Sequence, residues 1–594
     1  MNSSGLSQRD LKLKSSHLKY GNFGLTSQAL KLRVRLPSLG IALLNLGLLC
    51  APVVIPTVAQ GAQEIYISYG PLEVSLPIAS LELYATTGKI DSELSFYAGY
   101  LTPEQLVQLK KVLVSRVDVT PVAIAQFLYS TQGEIILNRI GEIIQTKARQ
   151  PGFYAIRASL IKAAARPEGL TLLNILREFP THGIRIDSGR GFQVIESLSN
   201  LVRQTGVAIA AVEQQASQEI AFQTPPQAST LLLSPIISRF SRLADLRQTG
   251  QFSHIKQSFT LNDLRRGRTF PVDLYLPNIN GLAPLIVISH GLGSDRSTFV
   301  YLAKHLASYG FAVAVPEHPG SNAQQIQALI NGLANQVTAP TELADRPLDI
   351  KFMLDELKRE FSNRLNFQEV GVLGQSLGGY TSLALVGAKI NYQQLEKDCL
   401  PNDSLNLSLL VQCRALEQPF SSELQDSRIK AAVAINPIGS SIFGQDQFAQ
   451  IKTPLMLVSG SDDTVAPALP EQIRPFTWLT TPNKYLALIK GGTHFSTLID
   501  TTGAIPVPTS AIGPSPEVAR DYMKALSVAF FKTYIANDSS YQAYLNASYG
   551  QFISQNTLPL TLIQSLTKAQ LQQAEANPQA TPTPSPTPTA SPQP

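Results

Sequence analysis

A serine lies between glycines where the sequence changes from an apolar strand to an apolar helix. Residues 374–378, with the sequence GQSLG, follow the apolar run 370–373 and open the apolar helical segment 377–389. In a sharp strand-to-helix turn, such glycines let the two elements approach closely, and the turn projects the serine hydroxyl as a nucleophile. The bare motif is only moderately specific, but its position between these segments predicts a nucleophile at Ser376.

A serine nucleophile needs a general base, and the histidines leave one candidate. With this elbow, the chain order is serine, acid, histidine. Only His494 follows Ser376 among the seven histidines, which lie at positions 17, 182, 254, 290, 305, 318 and 494. It stands in the glycine-containing run 491–495, just after the predicted strand 485–489. We therefore predict His494 as the base; the alternative is an incidental surface histidine.

The third member should be a carboxylate that orients the histidine and stabilises its imidazolium form. The predicted strand 455–459 is followed by residues 460–467, GSDDTVAP, which contain two adjacent aspartates. We favour Asp463 because the acid of such a loop is usually third after the glycine. Asp462 remains the alternative, and the aspartate that does not serve would be a solvated or turn-capping carboxylate.

Ester chemistry through a serine also needs hydrogen-bond donors for the tetrahedral oxyanion. One predicted donor is the backbone N–H of Leu377, at the start of the elbow helix. The other is the N–H of Leu292, in the turn 289–294 (SHGLGS) after the strand 285–289. His290 in the same turn is predicted to have a structural hydrogen-bonding role.

The elements around these residues predict an α/β fold: a mostly parallel sheet with helices on both faces, preceded by a mainly helical domain. Compact apolar runs alternate with helical segments through the second half of the chain, which is typical of such a sheet. Its catalytic groups should lie beyond the carboxyl ends of the strands. The predicted boundaries are a leader at 1–62, a helical domain at 63–223, a linker at 224–251, the α/β domain at 252–535 and a C-terminal extension at 536–594.

The charge distribution argues against nucleic-acid binding. The net charge of the 594 residues is +5, but residues 1–59 hold seven Lys or Arg and a single acid, so the remainder carries about −1.

The leader combines this basic stretch with an apolar run at 39–51 and small residues near 57–61, which is typical of a secretory signal. We expect export to the periplasm or the exterior; the alternative is an uncleaved N-terminal anchor.

The cysteine and histidine counts and the composition of the last residues indicate no further chemistry. Three cysteines and seven histidines offer little for a cysteine-rich scaffold or a multi-metal site, and we expect neither a metal nor a cofactor. The last residues are rich in Pro, Thr and Ser, which cannot bury a core, so a disordered tail is predicted there.

Several segments resemble α/β-hydrolases of the platelet-activating-factor acetylhydrolase group. The resemblance lies in residues 288–294 (ISHGLGS) and 307–318 (ASYGFAVAVPEH). Residues 265–277 (RRGRTFPVDLYLP) and 346–349 (RPLD) resemble bacterial relatives often described as dienelactone-hydrolase-like. Dienelactone hydrolases themselves use a cysteine nucleophile, so Ser376 argues against that activity. Residues 65–72 (IYISYGPL) are similar to an uncharacterised helical domain that precedes cyanobacterial α/β-hydrolases.

The resemblance implies an exported serine esterase or lipase that cleaves short acyl esters of a phospholipid or a similar amphiphile. The substrate would be a small amphiphilic ester or lipid, with transient contact at a membrane surface. Two alternatives remain on the same residues: a peptidase or thioesterase that uses the same triad, and a non-catalytic binding protein that retains the hydrolase fold.

Relative to the mammalian enzymes, the chain carries an insertion at about 391–428 that contains Cys399 and Cys413. In an exported protein these cysteines are expected to form a disulfide that closes a short loop and stiffens a lid over the pocket. The alternative is a pair of unpaired buried thiols.

Overall fold

The computed structural model describes residues 61–69, 72–223, 240–400, 406–420, 423–499, 507 and 509–577. The predicted leader lies outside the described residues except for its last two positions. The Pro/Thr-rich tail and most of the predicted linker also lie outside them. In the part of the chain that is described, no helix combines the length and the apolar character needed to cross a membrane.

The largest sheet has nine strands among the described residues and follows the order β13-β12-β11-β10-β9-β7-β8-β6-β5. The six strands β7 through β12 are parallel, whereas β5, β6 and β13 pair antiparallel at the two edges. Their bounds are β5 His254–Asp263, β6 Arg268–Pro277, β7 Ala283–Ser289, β8 Ala312–Pro316, β9 Leu365–Gln375, β10 Ile429–Ile435, β11 Leu455–Gly460, β12 Lys484–Ile489 and β13 Leu560–Ile563. The predicted parallel α/β sheet is confirmed.

Burial on both faces explains why these strands are continuous apolar runs. In β7, Leu285 and Val287 belong to one hydrophobic core, while Ile286 and Ile288 belong to the core on the opposite face. Successive strand side chains point to opposite faces, so each core receives every second residue. Helices from the intervening segments cover both cores.

The helices of this part of the chain differ widely in length. They are α9 Val300–Ser308, α10 Ala323–Ile330, α11 Glu342–Phe361, α12 Leu377–Leu385, α13 Tyr392–Cys399, α14 Leu407–Gln412, α15 Ser440–Phe448, α16 Arg474–Trp478, α17 Thr509–Ile512, α18 Pro516–Tyr534, α19 Ala547–Ile553 and α20 Lys568–Ala576. The 3₁₀ turns Cys413–Leu416 and Ser539–Tyr544 and the π-helical turn Leu469–Ile473 complete this part.

The front region is mainly helical, as predicted, and it also contains a small sheet. The helices are α1 Ile78–Thr87, α2 Ser92–Ala98, α3 Pro103–Val114, α4 Pro121–Leu128, α5 Thr131–Ile143, α6 Phe153–Ala164, α7 Leu172–Arg177 and α8 Ser188–Gln223. Thr102 caps α3 with a capping box. The four strands have the order β2-β1-β4-β3, with bounds β1 Glu64–Tyr69, β2 Leu72–Pro77, β3 Ile144–Thr146 and β4 Gly183–Asp187.

Two elements from outside the predicted α/β domain contact the large sheet: a strand from the C-terminal segment and a helix from the front region. The last strand, β13, lies within the segment predicted as a C-terminal extension and pairs antiparallel with β12. Helix α8 packs against β13, and its residues Ala208, Val212 and Ala216 belong to one of the cores of the large sheet. The front region therefore shares a hydrophobic core with the sheet.

Candidate active site

Ser376 occupies a strained turn between β9 and α12. Its backbone has φ 57° and ψ −118°, a conformation that non-glycine residues rarely adopt. The flanking glycines make this turn possible: a Cβ at Gly374 would lie 2.1 Å from the carbonyl oxygen of Gly378, and a Cβ at Gly378 would lie 2.1 Å from that of Ser289. Such a strained serine at a helix start has the geometry of a nucleophile elbow.

His494 and Asp463 are paired. His494 Nδ1 donates to Asp463 Oδ2 at 2.7 Å, and both side chains are buried. The other carboxylate oxygen accepts the backbone N–H groups of Val465 and Ala466 at 2.8 and 2.7 Å. These bonds fix the carboxylate, which in turn fixes the orientation of the imidazole.

The structure distinguishes the two adjacent aspartates. Asp462 is exposed and accepts a hydrogen bond from the hydroxyl of Ser461, its neighbour in the chain. It therefore has the environment of a solvated turn carboxylate, while Asp463 holds the histidine.

Parallel strands bring these residues to one edge of the sheet. Ser376, Asp463 and His494 follow the carboxyl ends of β9, β11 and β12 respectively, and these strands run in one direction. The buried Gln375, directly before Ser376, donates through Nε2 to the backbone carbonyl of His494 at 3.1 Å. The histidine loop is thereby attached to the elbow.

Asn436 also belongs to this group, although it is not among the site residues predicted from the sequence. Its Nδ2 donates to Asp463 Oδ2 at 2.7 Å and to the carbonyl of Thr493 at 3.2 Å. It follows the carboxyl end of β10 and has φ 42°. An asparagine directly after a buried strand was the available signal, because asparagine tolerates this backbone region and carries an amide donor.

The turn that holds Leu292 is fixed by Arg346, a buried residue of α11. Arg346 Nη1 donates to the carbonyl of His290 at 2.6 Å, and Nη2 donates to that of Gly291 at 3.2 Å. His290 Nδ1 donates to the same Gly291 oxygen at 2.8 Å. Every peptide bond among the described residues is trans, so the N–H of Leu292 points away from the Gly291 carbonyl. It therefore points away from Arg346.

The second predicted donor, Leu377, is the first residue of α12. The first N–H groups of a helix have no acceptor within the helix. Leu377 can therefore offer its N–H to a group bound beside Ser376. The turn after β7 and the start of α12 are in contact, since Gly378 lies against the carbonyl oxygens of Ser289 and His290.

Buried ionisable groups lie behind the turn. Burial, with the nearby Arg346 cation, lowers the pKa of His290 well below its usual value and that of His318 to about 4. Both rings are neutral near pH 7, and His290 Nε2 accepts the backbone N–H of His318 at 3.0 Å. The structural role predicted for His290 is thus observed.

Arg346 is one of these buried ionisable groups behind the turn, and it lies close to Glu342. Burial lowers the pKa of Arg346 to about 10, so it stays charged at neutral pH. Its ion pair with Glu342 spans 4.0 Å, and Asp349 accepts from His318 Nδ1 at 3.1 Å.

The insertion contains the disulfide that the sequence analysis expected. Cys399, at the end of α13, is bonded to Cys413, directly after α14.

Among the residues that the structure describes, no three His, Cys, Asp or Glu side chains are grouped as a metal site.

Comparisons with known proteins confirm the resemblance. Residues 61–187 match the family "Alpha/beta hydrolase of unknown function (DUF1400)", and residues 277–339 match "Platelet-activating factor acetylhydrolase, isoform II". The chain is thus similar to α/β-hydrolases of the platelet-activating-factor acetylhydrolase type.

The curated relatives share low identity with this chain. A platelet-activating factor acetylhydrolase of Cavia porcellus is 24% identical over 301 residues, which cover 47% of this chain and 64% of that enzyme. Cutinase 2 of Thermobifida cellulosilytica is 21% identical over 280 residues, 46% of this chain and 76% of the relative. Cutinase cut1 of Thermobifida fusca is 21% identical over 280 residues and is covered to 62%. The chain thus spans just under two thirds of the first of these relatives.

Proposed function

We propose that this protein is a serine hydrolase of carboxylic esters. Ser376 Oγ attacks the ester carbonyl carbon while His494 takes the hydroxyl proton, and the same imidazole then protonates the leaving alcohol. Water, deprotonated by His494, attacks the acyl-enzyme and releases the carboxylic acid and Ser376. Asp463 holds the imidazole and stabilises its charged form.

The oxyanion of each tetrahedral intermediate would be stabilised by the N–H groups of Leu292 and Leu377. Donors fixed before the reaction need no reorganisation when the charge develops. The Arg346 contacts on the turn before Leu292 supply this fixation on one side, and the helix start supplies it on the other.

The observation that carries the proposal is the Asp463–His494 pair at the sheet edge where the strained Ser376 turn begins. A surface histidine would not be buried, bonded to a carboxylate and linked to the residue before the serine. Similarity to a platelet-activating factor acetylhydrolase and to cutinases supports ester substrates over peptides.

Within esters, we propose short acyl esters of phospholipids or similar amphiphiles, because the family match at residues 277–339 covers the turn with Leu292. The pattern of the leader supports export to the periplasm or the exterior. Transient contact with a membrane surface would give access to such substrates.

A fluorophosphonate probe and p-nitrophenyl esters test the reaction. Ser376→Ala should remove the adduct and lower kcat by at least about a thousandfold, since the nucleophile is lost, with little change in Tm. Ser362→Ala, at an exposed serine after α11, is the matched control and should keep both. Labelling or turnover that survives in Ser376→Ala would refute the assignment. Thioester and peptide panels identify the alternative enzymes, and a folded wild type without adduct would indicate a binding protein.

A further inference from the structure

The connection between β8 and α11, residues 317–341, lies against the turn that holds Leu292. The N–H of Gly293 donates to the carbonyl of Ser321, and the N–H of Ala323 donates to that of Ser294, both at 2.9 Å. Ile326 of α10 packs against Gly293: a Cβ built on Gly293 would lie 3.2 Å from Cγ1 of Ile326. Helix α10 therefore flanks the residue next to the proposed oxyanion donor.

Two side chains from other parts of the chain hold the far end of this connection. Arg414 Nη1 donates to the carbonyl of Thr338 at 2.6 Å, and Nη2 donates to Gln336 Oε1 at 2.8 Å. From the front region, Gln132 Oε1 accepts the backbone N–H of Val337 at 3.1 Å. Residues 336–338 are thus bound by the insertion on one side and by the front region on the other.

Residues 336–338 are hydrogen-bonded to α10. Gln325 Nε2, in the first turn of α10, donates to the backbone carbonyl of Gln336 at 2.9 Å. Helix α4 of the front region also packs against α10. A displacement of residues 336–338 would therefore be transmitted to the helix beside the turn.

The segment that carries Arg414 is fixed by the bonds of its two preceding residues. Its neighbour Cys413 is bonded to Cys399, and Gln412 Oε1 accepts the N–H groups of Ser441 and Ile442 at 2.9 Å each. The Arg414 side chain is buried, and its two terminal nitrogens are hydrogen-bonded to Thr338, Gln336 and Glu417, which stabilises a buried cation. It can therefore act as a rigid contact from the insertion to the connection.

We infer that Arg414 and Gln132 are positioning residues that set the place of α10, and that α10 selects the acyl chain. This inference rests on the proposed ester hydrolysis. Ile326 is a partly exposed apolar side chain beside the turn, so an acyl chain whose carbonyl oxygen lies at Leu292 N–H would meet it. With α10 held in place, short chains fit; with α10 released, the site accepts longer ones.

The experiment uses the full chain with Arg414→Ala, Arg414→Lys and Gln132→Leu. Arg359→Ala, which removes an arginine with a mostly exposed side chain in α11, is the matched control. Two quantities are measured: hydrogen exchange of residues 323–338, and the ratio of kcat/KM for p-nitrophenyl octanoate to that for the acetate. Exchange reports the contact independently of any activity.

In Arg414→Ala and Gln132→Leu, exchange across 323–338 should rise and the octanoate-to-acetate ratio should increase by about tenfold, because small displacements near a reacting group have large effects. Arg414→Lys should recover part of both effects, since lysine keeps the charge but not the planar fork. Arg359→Ala should change neither.

The outcomes separate the parts of the inference. Unchanged exchange in Arg414→Ala and Gln132→Leu would refute the positioning role. Raised exchange with an unchanged ratio would refute the selection of the acyl chain by α10. A wild type without activity on any ester and without a Ser376 adduct would refute the proposed function, and with it the selection, while the exchange data would still test the positioning.

Discussion

Two neighbouring aspartates follow β11, and only one has the contacts of a catalytic carboxylate. Asp463 receives four hydrogen bonds, from His494, Asn436 and two backbone N–H groups, whereas Asp462 is exposed. An asparagine amide carries no negative charge to stabilise the imidazolium, and its N–H group can hold His494 in the wrong tautomer. We expect Asp463→Asn to lower kcat by about ten-thousandfold.

The matched variant is Asp462→Asn, which makes the same chemical change one residue away. It should alter kcat by less than about twofold, because a solvated surface carboxylate interacts weakly with the site. Steady-state kinetics on p-nitrophenyl acetate measure both variants. A large loss in Asp462→Asn with little loss in Asp463→Asn would reverse the assignment.

Arg346 provides a second prediction at the scale of a residue. Arg346→Lys keeps a cation but cannot reach the carbonyls of both His290 and Gly291 with one planar group. The Leu292 N–H would then be less well fixed. Because the proposed role of this N–H, as an oxyanion donor, is in the transition state, kcat should fall by roughly tenfold to a hundredfold with KM nearly unchanged.

Arg428→Lys is the control for this change. Arg428 binds Asp426 and Asp355 with its guanidinium just before β10, at the amino ends of the parallel strands. This variant should lose some stability and keep its kcat. Equal losses of kcat in both variants would show that Arg346 acts only through stability.

At the scale of elements, α9 is held by a buried neutral histidine. His305 Nε2 donates to the carbonyl of Leu246 at 2.9 Å, and burial lowers the pKa of His305 to about 4. Lys524 lowers this pKa further, while Asp521 and the bond to Leu246 raise it. The native ring therefore remains neutral at pH values where an unfolded histidine, with a pKa of about 6.5, is protonated.

The free energy of unfolding should consequently fall as pH decreases. Between about pH 6.5 and pH 4 the unfolded chain binds a proton that the native chain does not, so this stability is present above pH 6.5 and is lost toward pH 4. His305 contributes a loss of about 2 kcal/mol between pH 7 and pH 4.5. Urea unfolding of His305→Gln should show a drop smaller by this amount; an identical drop would contradict the prediction.

The elements that the sequence analysis identified are those with a strong local pattern. The parallel strands were predictable because burial on both faces produces apolar runs, and the elbow because glycine is required on both sides of Ser376. Strand β1 is largely half-buried and pairs with β4 more than a hundred residues later, so its local pattern did not distinguish it within a mainly helical region. Strand β13 has only four residues, too few for a periodic signal.

The candidate site shows the same division. Ser376 and His494 follow from a motif and from chain order, and Asp463 follows from its distance after a glycine. Arg346 could not be assigned this role from its own segment, since it binds main-chain carbonyls more than fifty residues away. Non-local contacts of this kind leave no spacing rule in the sequence.

At the scale of the whole molecule, α8 joins the front region to the large sheet. Val212 is fully buried in the sheet's core, and Glu219 accepts the backbone N–H groups of Gln564 and Ser565 beside β13. The other part of α8 contacts β1 and β4 of the front sheet. One helix therefore belongs to two packed layers, which should couple their unfolding.

We expect the two regions to unfold in one transition. Trp478, the single tryptophan, packs on Phe448 near the large sheet, whereas far-ultraviolet circular dichroism also reports the front helices. The two signals should give the same urea midpoint, as two-state unfolding requires. Val212→Asp should lower that midpoint for both signals together and reduce the free energy of unfolding by more than about 3 kcal/mol, because it buries an unpaired charge.

Val202→Asp tests whether this effect comes from the shared core rather than from a charge in α8. Val202 lies on the same helix with 72% of its surface exposed, so this variant should change stability by less than about 0.5 kcal/mol. Separate midpoints for fluorescence and circular dichroism in the wild type would show that α8 does not couple the regions. A large effect of Val202→Asp would instead place an undetected contact on the exposed face of α8.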